Sequence, residues 1–247
     1  MKRLIASLML SLCATGAIAT DRAAIEQAVA APDRSAADRE RDVTEKPVEV
    51  LAFFGVLPGM QVADIMSGGG YYSEILSHIA GPKGGVIAHN NAAYFDYSSK
   101  DANARFVGRD FPNVNRVNRE LEDMGLGEGK LDLILMVMSY HDAYWIGEEW
   151  PKVDTDKFMQ QLFAALKPGG IVAVVDHHAP AGSGITVIDK THRIDAEFVK
   201  AEFARYKFVF DGETDLLRNP ADDRTKVVFD ESVRRKTDRF VYKFKKP

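Results

Sequence analysis

Residues Leu131 to Met138, LDLILMVM, are apolar at almost every position and lack the alternation of a strand with one wet face. Such a run is a strand covered on both sides, as at the centre of a parallel sheet. Parallel neighbours cannot be joined by tight hairpins, so helical crossovers must flank it. The rest of the chain supplies them. Strands are expected at Gln61 to Met66, Gly85 to His89, Val114 to Val117 and Ile171 to Val175, and helices at Tyr71 to Ala80, Ser98 to Val107 and Thr155 to Leu166. Beyond Asp195 to Tyr206, another helix, Lys207 to Asp211 and Arg239 to Phe244 read as two further strands joined by a polar stretch, an antiparallel edge pair. The predicted fold is α/β: a Rossmann-like, doubly wound, mostly parallel sheet of seven strands.

The N-terminus reads differently. Lys2 and Arg3, the apolar run from Leu4, and the small-x-small step Ala17-Ile18-Ala19 have the form of a cleaved export signal over residues 1–19. The run is too short and too diluted by Ser7, Ser11, Thr15 and Gly16 for a stable membrane anchor. Residues 20–46 form an Ala-rich, charged helical extension, and Pro47, at the first turn of a helix that ends at Gly55, opens the main domain, 47–247. Cys13 is the one cysteine and falls in the signal, so disulfides, thiolate metal sites and cysteine nucleophiles are excluded from the mature chain. A formal charge of −4 with dispersed Lys and Arg gives no footprint for nucleic acid. A small-molecule substrate in the periplasm or outside the cell is the expected partner.

Ligands of such sheets sit at the carboxyl ends of the strands. There the sequence places Asp64-Ile65-Met66-Ser67-Gly68-Gly69-Gly70, ahead of a helix. Glycine lets a ligand approach the backbone, and the helix start offers free N–H groups. The spacing is wrong for the dinucleotide pattern G-x-G-x-x-G. Instead, VADIMSGGGYYSE resembles the first motif of the class I methyltransferases that use S-adenosyl-L-methionine, matching through Asp64, Gly68 and Gly70. PGM before the first strand, GPKGGVIAHN at the second and LKPGGIVAVVDH at the fifth extend the resemblance from about Pro47 to the C-terminus, and YHD and HRID segments are similar to those of an exported group of predicted methyltransferases. The resemblance implies that Gly68, Gly69 and Gly70, with Ser67 and Tyr71 beside them, line the methionine part of the cofactor, with Asp64 at its amino group. It departs at Met66, where the family's first glycine belongs, and at Asn90, where an acid usually takes the ribose hydroxyls.

For the chemistry, Ser139 to Trp145 follows the central strand. His141 is a candidate base near neutral pH, with Asp142 or a neighbouring carboxylate orienting it and Tyr144 nearby. The structural alternative, His141 capping the strand end while Tyr144 and Trp145 pack as a lid, is equally open. Asp176-His177-His178 closes the fifth strand, and adjacent residues face opposite ways, so one of the two histidines is expected at the cleft. Together with His141, His192 and Asp142 these histidines could assemble a metal site on the strand ends, but no short H-x-H or H-x-x-x-H spacing supports one, and none is expected. Arg193 is a candidate for an anionic acceptor, and the stretch around Arg218 to Asp230 for a lid or a solvated edge loop. The leading reading is a methyltransferase acting on a small molecule or envelope component. Two alternatives remain: a non-catalytic ligand-binding protein on the same fold, and a His/Asp hydrolase or lyase in the same cleft.

Overall fold

The structure is a computed structural model, and it describes residues 22–147, 150 and 152–247. The expected export signal lies outside the described residues. Among them no helix is long and apolar enough to cross a membrane.

Two helices come first, α1 (residues 22–29) and α2 (Ala36–Glu45), then α3 (Pro47–Phe54). Proline at the first turn of α3 and a left-handed Gly55 at its end, φ 73°, bound it as the sequence predicts. The α/β body follows: β1 (Gln61–Ile65), α4 (Tyr71–Ala80), β2 (Gly85–Asn90), α5 (Ala92–Phe106), β3 (Val114–Asn118), β4 (Leu131–Val137), α6 (Thr155–Ala165), β5 (Leu166–His177), α7 (Ile188–Thr191), α8 (Ala196–Arg205), β6 (Val209–Thr214) and β7 (Arg239–Lys245). The seven strands form one sheet in the order β3-β2-β1-β4-β5-β7-β6. The first five run parallel, and β7 inserts antiparallel between β5 and β6.

The apolar run in β4 behaves as its composition demands. Ile134 and Met136 lie in the buried cluster shared with α6 and α8, whereas Leu133 and Leu135 lie in the one shared with α3 and α4. Each buried Leu or Ile contributes roughly 1.5–3 kcal/mol, so a strand loaded on both faces belongs at the centre.

Three boundaries differ from expectation for local reasons. Helix α5 begins at Ala92 rather than Ser98, because the Asn91 side chain caps it by accepting from the Tyr94 N–H at 3.0 Å. Strand β5 takes in Lys167-Pro168-Gly169-Gly170 as an irregularity: Leu131 pairs with Leu166 but Leu133 with Ile171. Strand β6 starts two residues late because Lys207, φ 69°, turns the chain out of α8.

The N-terminal helices are fastened to the body by charge. Arg34 clasps Asp42 through both terminal nitrogens at 2.7 Å, the Tyr71 hydroxyl donates to the same carboxylate, and buried Arg239 pairs with buried Glu45 at 2.6 Å.

Candidate active site

Two arrangements occupy the carboxyl edge of the sheet. The first is the glycine turn after β1. The chain leaves the strand at Met66 in the left-handed region, φ 53°, with its side chain 3% exposed in the core cluster rather than over the turn. A buried methionine in that conformation costs on the order of 1–2 kcal/mol, strain of the kind that persists where surrounding packing enforces it. Ser67, Gly68 and Gly69 stay partly accessible. Gly68 and Gly70 have φ of 56° and 81°, which a side-chain-bearing residue adopts only with strain. A Cβ on Gly68 would meet nothing within 4 Å, and among the described residues the Gly69 N–H makes no hydrogen bond.

Asp64 ends the strand almost fully buried and accepts from the Ser73 hydroxyl at 2.6 Å. Burial pushes its carboxyl up to about 7, and the Ser73 bonds only partly offset this.

The other glycines have a different explanation. A Cβ on Gly69 would stand 2.9 Å from Asp101 Cβ, and one on Gly70 would stand 2.5 Å from the Phe106 ring. Both contacts come from α5, which crosses the top of the turn, and Arg105 of that helix donates to the Gly69 carbonyl at 2.7 Å while pairing with Asp38 and buried Glu74. These two glycines therefore serve packing of helix on loop. Asn90 is likewise committed: its Oδ1 accepts from the Gly68 N–H at 2.9 Å and its Nδ2 donates to the Gly68 carbonyl at 3.1 Å. Tyr71, expected beside a ligand, instead faces the N-terminal extension, bonded to Asp42 and with the Arg41 guanidinium 4.2 Å from its ring centre.

The second arrangement lies over β4 and β5. His141, in the short 3-10 turn Tyr140–Ala143, is buried with both ring nitrogens against carboxylates: Nδ1 is 2.8 Å from Asp176 Oδ1 and Nε2 is 3.2 Å from Asp142 Oδ1. Asp176, fully buried at the end of β5, also accepts the backbone N–H of His141 at 2.9 Å and of His177 at 2.7 Å. Tyr94, from the first turn of α5, donates to Asp142 Oδ2 at 2.6 Å, and His192 Nδ1 lies 3.7 Å from Asp142 Oδ1. Burial opposes a charge on His141, but the fields of Asp142 and Asp176 override it and hold the imidazolium well above the usual histidine range. Burial also opposes ionisation of Asp142, and the His141 charge with bonds from His141, His192 and Tyr94 holds its carboxyl well below the usual carboxylate range.

His141 is thus enclosed by carboxylates at both ring nitrogens rather than standing open at the cleft. His192 is the open member, half-buried, stacked on Trp145 at 5.5 Å and edge-on to Phe229 at 5.0 Å.

The sequence brings His192 together with Asp142 only in the metal alternative, and does not name Asp176 as the partner of His141. The one signal for Asp176 is its place at the end of the strand beside β4. Of the two adjacent histidines, His177 lies toward His141, 5.8 Å between ring centres, with its Nδ1 on Thr237, whereas His178 packs on Phe240 and lines a cavity of about 300 Å3 on the other side. Burial holds His178 down to about 4. Tyr144 is not brought to the cluster, its ring lying against Tyr140 and Phe198. Arg193, considered for an anionic acceptor, is fully buried and spent on Asp222 at 2.8 Å and on the carbonyls of His178 and Lys226.

The strand order has counterparts among solved structures. The chain is similar to an S-adenosylmethionine-dependent methyltransferase from Aquifex aeolicus, with a TM-score of 0.57 and 20% identity over 91% of this chain and 98% of that one. It is also similar to an arsenic(III) S-adenosylmethionine methyltransferase from Chlamydomonas reinhardtii, with a TM-score of 0.54 and 15% identity over 90% of this chain and 72% of that one. This is the class I methyltransferase fold. In sequence the chain is 28% identical to an uncharacterized methyltransferase of Synechocystis over 138 residues, 55% of this chain and 54% of that protein. It is 27% identical to a ubiquinone/menaquinone biosynthesis C-methyltransferase of Pasteurella multocida over 128 residues, 51% of this chain and 43% of that one. The chain thus spans about half the length of these relatives or less. No protein-family model matches it.

Proposed function

We propose that this protein is an S-adenosyl-L-methionine-dependent methyltransferase acting on a small molecule or envelope component, exported after removal of residues 1–19. The observation that carries the reading is the open turn at Gly68 behind the buried acid Asp64, at the carboxyl edge of a sheet with methyltransferase strand order. The residues present fit the cofactor at its amino-acid end. In this reading Asp64 ionises against the cofactor's ammonium, the Gly69 N–H, without a hydrogen bond among the described residues, meets its carboxylate, and Gly68 gives close backbone approach. On the ribose side the fit is poorer, because Asn90 spends its amide on the Gly68 peptide and has one hydrogen and one lone pair left.

Bound, the cofactor supplies an electrophilic methyl group. The chain's own task is to orient an acceptor and handle its proton. In this reading the Asp176–His141–Asp142 array over β4 and β5 supplies fixed charge on the acceptor side, with the partly open His192 ring next to Asp142.

Calorimetric titration of the mature protein with S-adenosylmethionine and S-adenosylhomocysteine tests the reading. Binding that is lost in Gly68→Val, with the circular dichroism spectrum retained, is the expected result. No binding of either compound to the folded protein overturns it. N-terminal sequencing of periplasmic or secreted material should begin at Thr20, and material beginning at Met1 would remove the export claim.

A further inference from the structure

We propose that His141, Asp142 and His192 form a site for one divalent cation of the zinc type, set over the ends of β4 and β5. The donors are His141 Nε2, Asp142 Oδ1 and His192 Nδ1. The two nitrogens lie 3.2 and 3.7 Å from the shared oxygen, and all three atoms fall within 4.8 Å of one another. A tetrahedral ion with metal–ligand bonds of about 2.0–2.2 Å holds its ligands roughly 3.3–3.6 Å apart. Both nitrogen–oxygen separations already stand near those values, and a rotation of the half-buried His192 ring would bring the two nitrogens into range.

Outer partners orient two of these donors from behind, as functional metal sites require. Asp176 takes His141 Nδ1 at 2.8 Å and its backbone N–H at 2.9 Å, so Nε2 must face Asp142. Tyr94 holds Asp142 Oδ2 at 2.6 Å, which leaves Oδ1 toward the two rings. His192 sits at the end of α7 with φ 51°, its ring stacked on Trp145 and met edge-on by Phe229.

Charge points the same way. Two buried carboxylates, Asp142 and Asp176, share a single imidazole between them, and a divalent ion with neutral rings would balance both. Two imidazoles and one carboxylate suit zinc and its neighbours rather than magnesium or calcium, which take oxygen cages. His177 is not among the residues whose donor atoms converge here. Three protein donors match sites that keep one position open. A cation there would lower the proton affinity of an acceptor oxygen or sulfur; that consequence rests on the transferase reading, whereas the site itself does not.

The test is metal binding by the full mature chain. After dialysis against chelator, the protein is titrated with Zn2+ by calorimetry and with Co2+ by visible absorption, with no methyl donor present. One equivalent should bind. His192→Ala should weaken binding at least about a hundredfold by removing a ligand, and Asp176→Asn about 10–100-fold by removing an outer partner. Because His192 is half-buried, its variant should keep the wild-type melting curve in chelator, which separates lost ligation from lost folding. Absence of a stoichiometric Zn2+ site in the folded protein, or equal Zn2+ affinity in His192→Ala, overturns the proposal. Either result would leave S-adenosylhomocysteine binding at the glycine turn untouched, so failure here and failure of the transferase reading are separate observations.

Discussion

Asp64 and Asp142 lie at the ends of neighbouring strands of the same sheet edge, both with less than a tenth of their surface exposed, yet their surroundings shift their acidity in opposite directions. Asp64 has a hydroxyl for company, and burial pushes it up to about 7, so near neutrality it holds its proton for about half the time. Asp142 has an imidazolium, a second ring and a phenol around it, and is held ionised far below that point. Burial is common to both, so the partners decide. The β1 side presents an acid that gains its charge when a cation arrives, and the β4–β5 side presents one whose charge is built in. The proposed reading, a cationic cofactor at one end and charge to be stabilised at the other, uses both.

The largest effect should come from breaking the second side. Asp176→Asn leaves one oxygen to serve donors that now use two, and sets an amide N–H against an N–H. Removing one partner of a buried pair costs about 3–5 kcal/mol, so urea denaturation at pH 7 should show a loss of that order. Asp64→Asn replaces an acid that burial already disfavours in its charged form and should cost under about 1 kcal/mol at the same pH. Equal losses in the two variants would erase the contrast.

A smaller effect separates two glycines of one turn. Gly70→Ala combines a left-handed backbone, φ 81°, with a Cβ driven to 2.5 Å from Phe106, whereas Gly68→Ala has the strained backbone but open space. Strain of about 1–2 kcal/mol is common to both, and overpacking adds about 1–3 kcal/mol at Gly70 alone. Thermal unfolding should therefore rank Gly70→Ala below Gly68→Ala, while S-adenosylhomocysteine binding should suffer more in the latter relative to its stability. The reverse ranking would mean that α5 does not rest on the turn.

The two sides also differ in how legible they are in the sequence. The glycine turn is contiguous, so the apolar run, Asp64 and the three glycines announce a strand, a bend and a helix from a dozen residues. The sheet is equally open to reading, because LDLILMVM requires cover on both faces and each later run has its crossover. The β4–β5 cluster is assembled from four separate places, Tyr94, His141 with Asp142, Asp176 and His192. His141 and Asp142 stand out because they follow the central strand. His192 is visible in the HRID segment, but no spacing ties it to Asp142, which it reaches only after the chain has passed β5 and α7. Asn90 and Tyr71 show the opposite limit: sequence places them beside the turn, but the Gly68 peptide takes half of the Asn90 amide's bonding capacity, and the Tyr71 ring is covered by Arg41 with its hydroxyl on Asp42.

The smallest effect is the most specific to Asp64. A folded-state value raised to about 7 from an ordinary 3.8 means that the folded protein without ligand binds the proton more tightly than the unfolded chain does. Its contribution to stability is then full below about pH 4 and is lost as pH rises through 7. Cofactor binding runs the other way, because an ammonium beside Asp64 favours the ionised carboxylate. Between pH 6 and 8 the affinity for S-adenosylhomocysteine should rise about tenfold, equivalent to about 1.4 kcal/mol, with release of a proton detectable by calorimetry in buffers of different ionisation enthalpy. In Asp64→Asn the rise should vanish along with the proton release. If affinity in the parent protein is flat across that range, Asp64 does not meet the ammonium, and the turn at Gly68 must hold its ligand in another orientation.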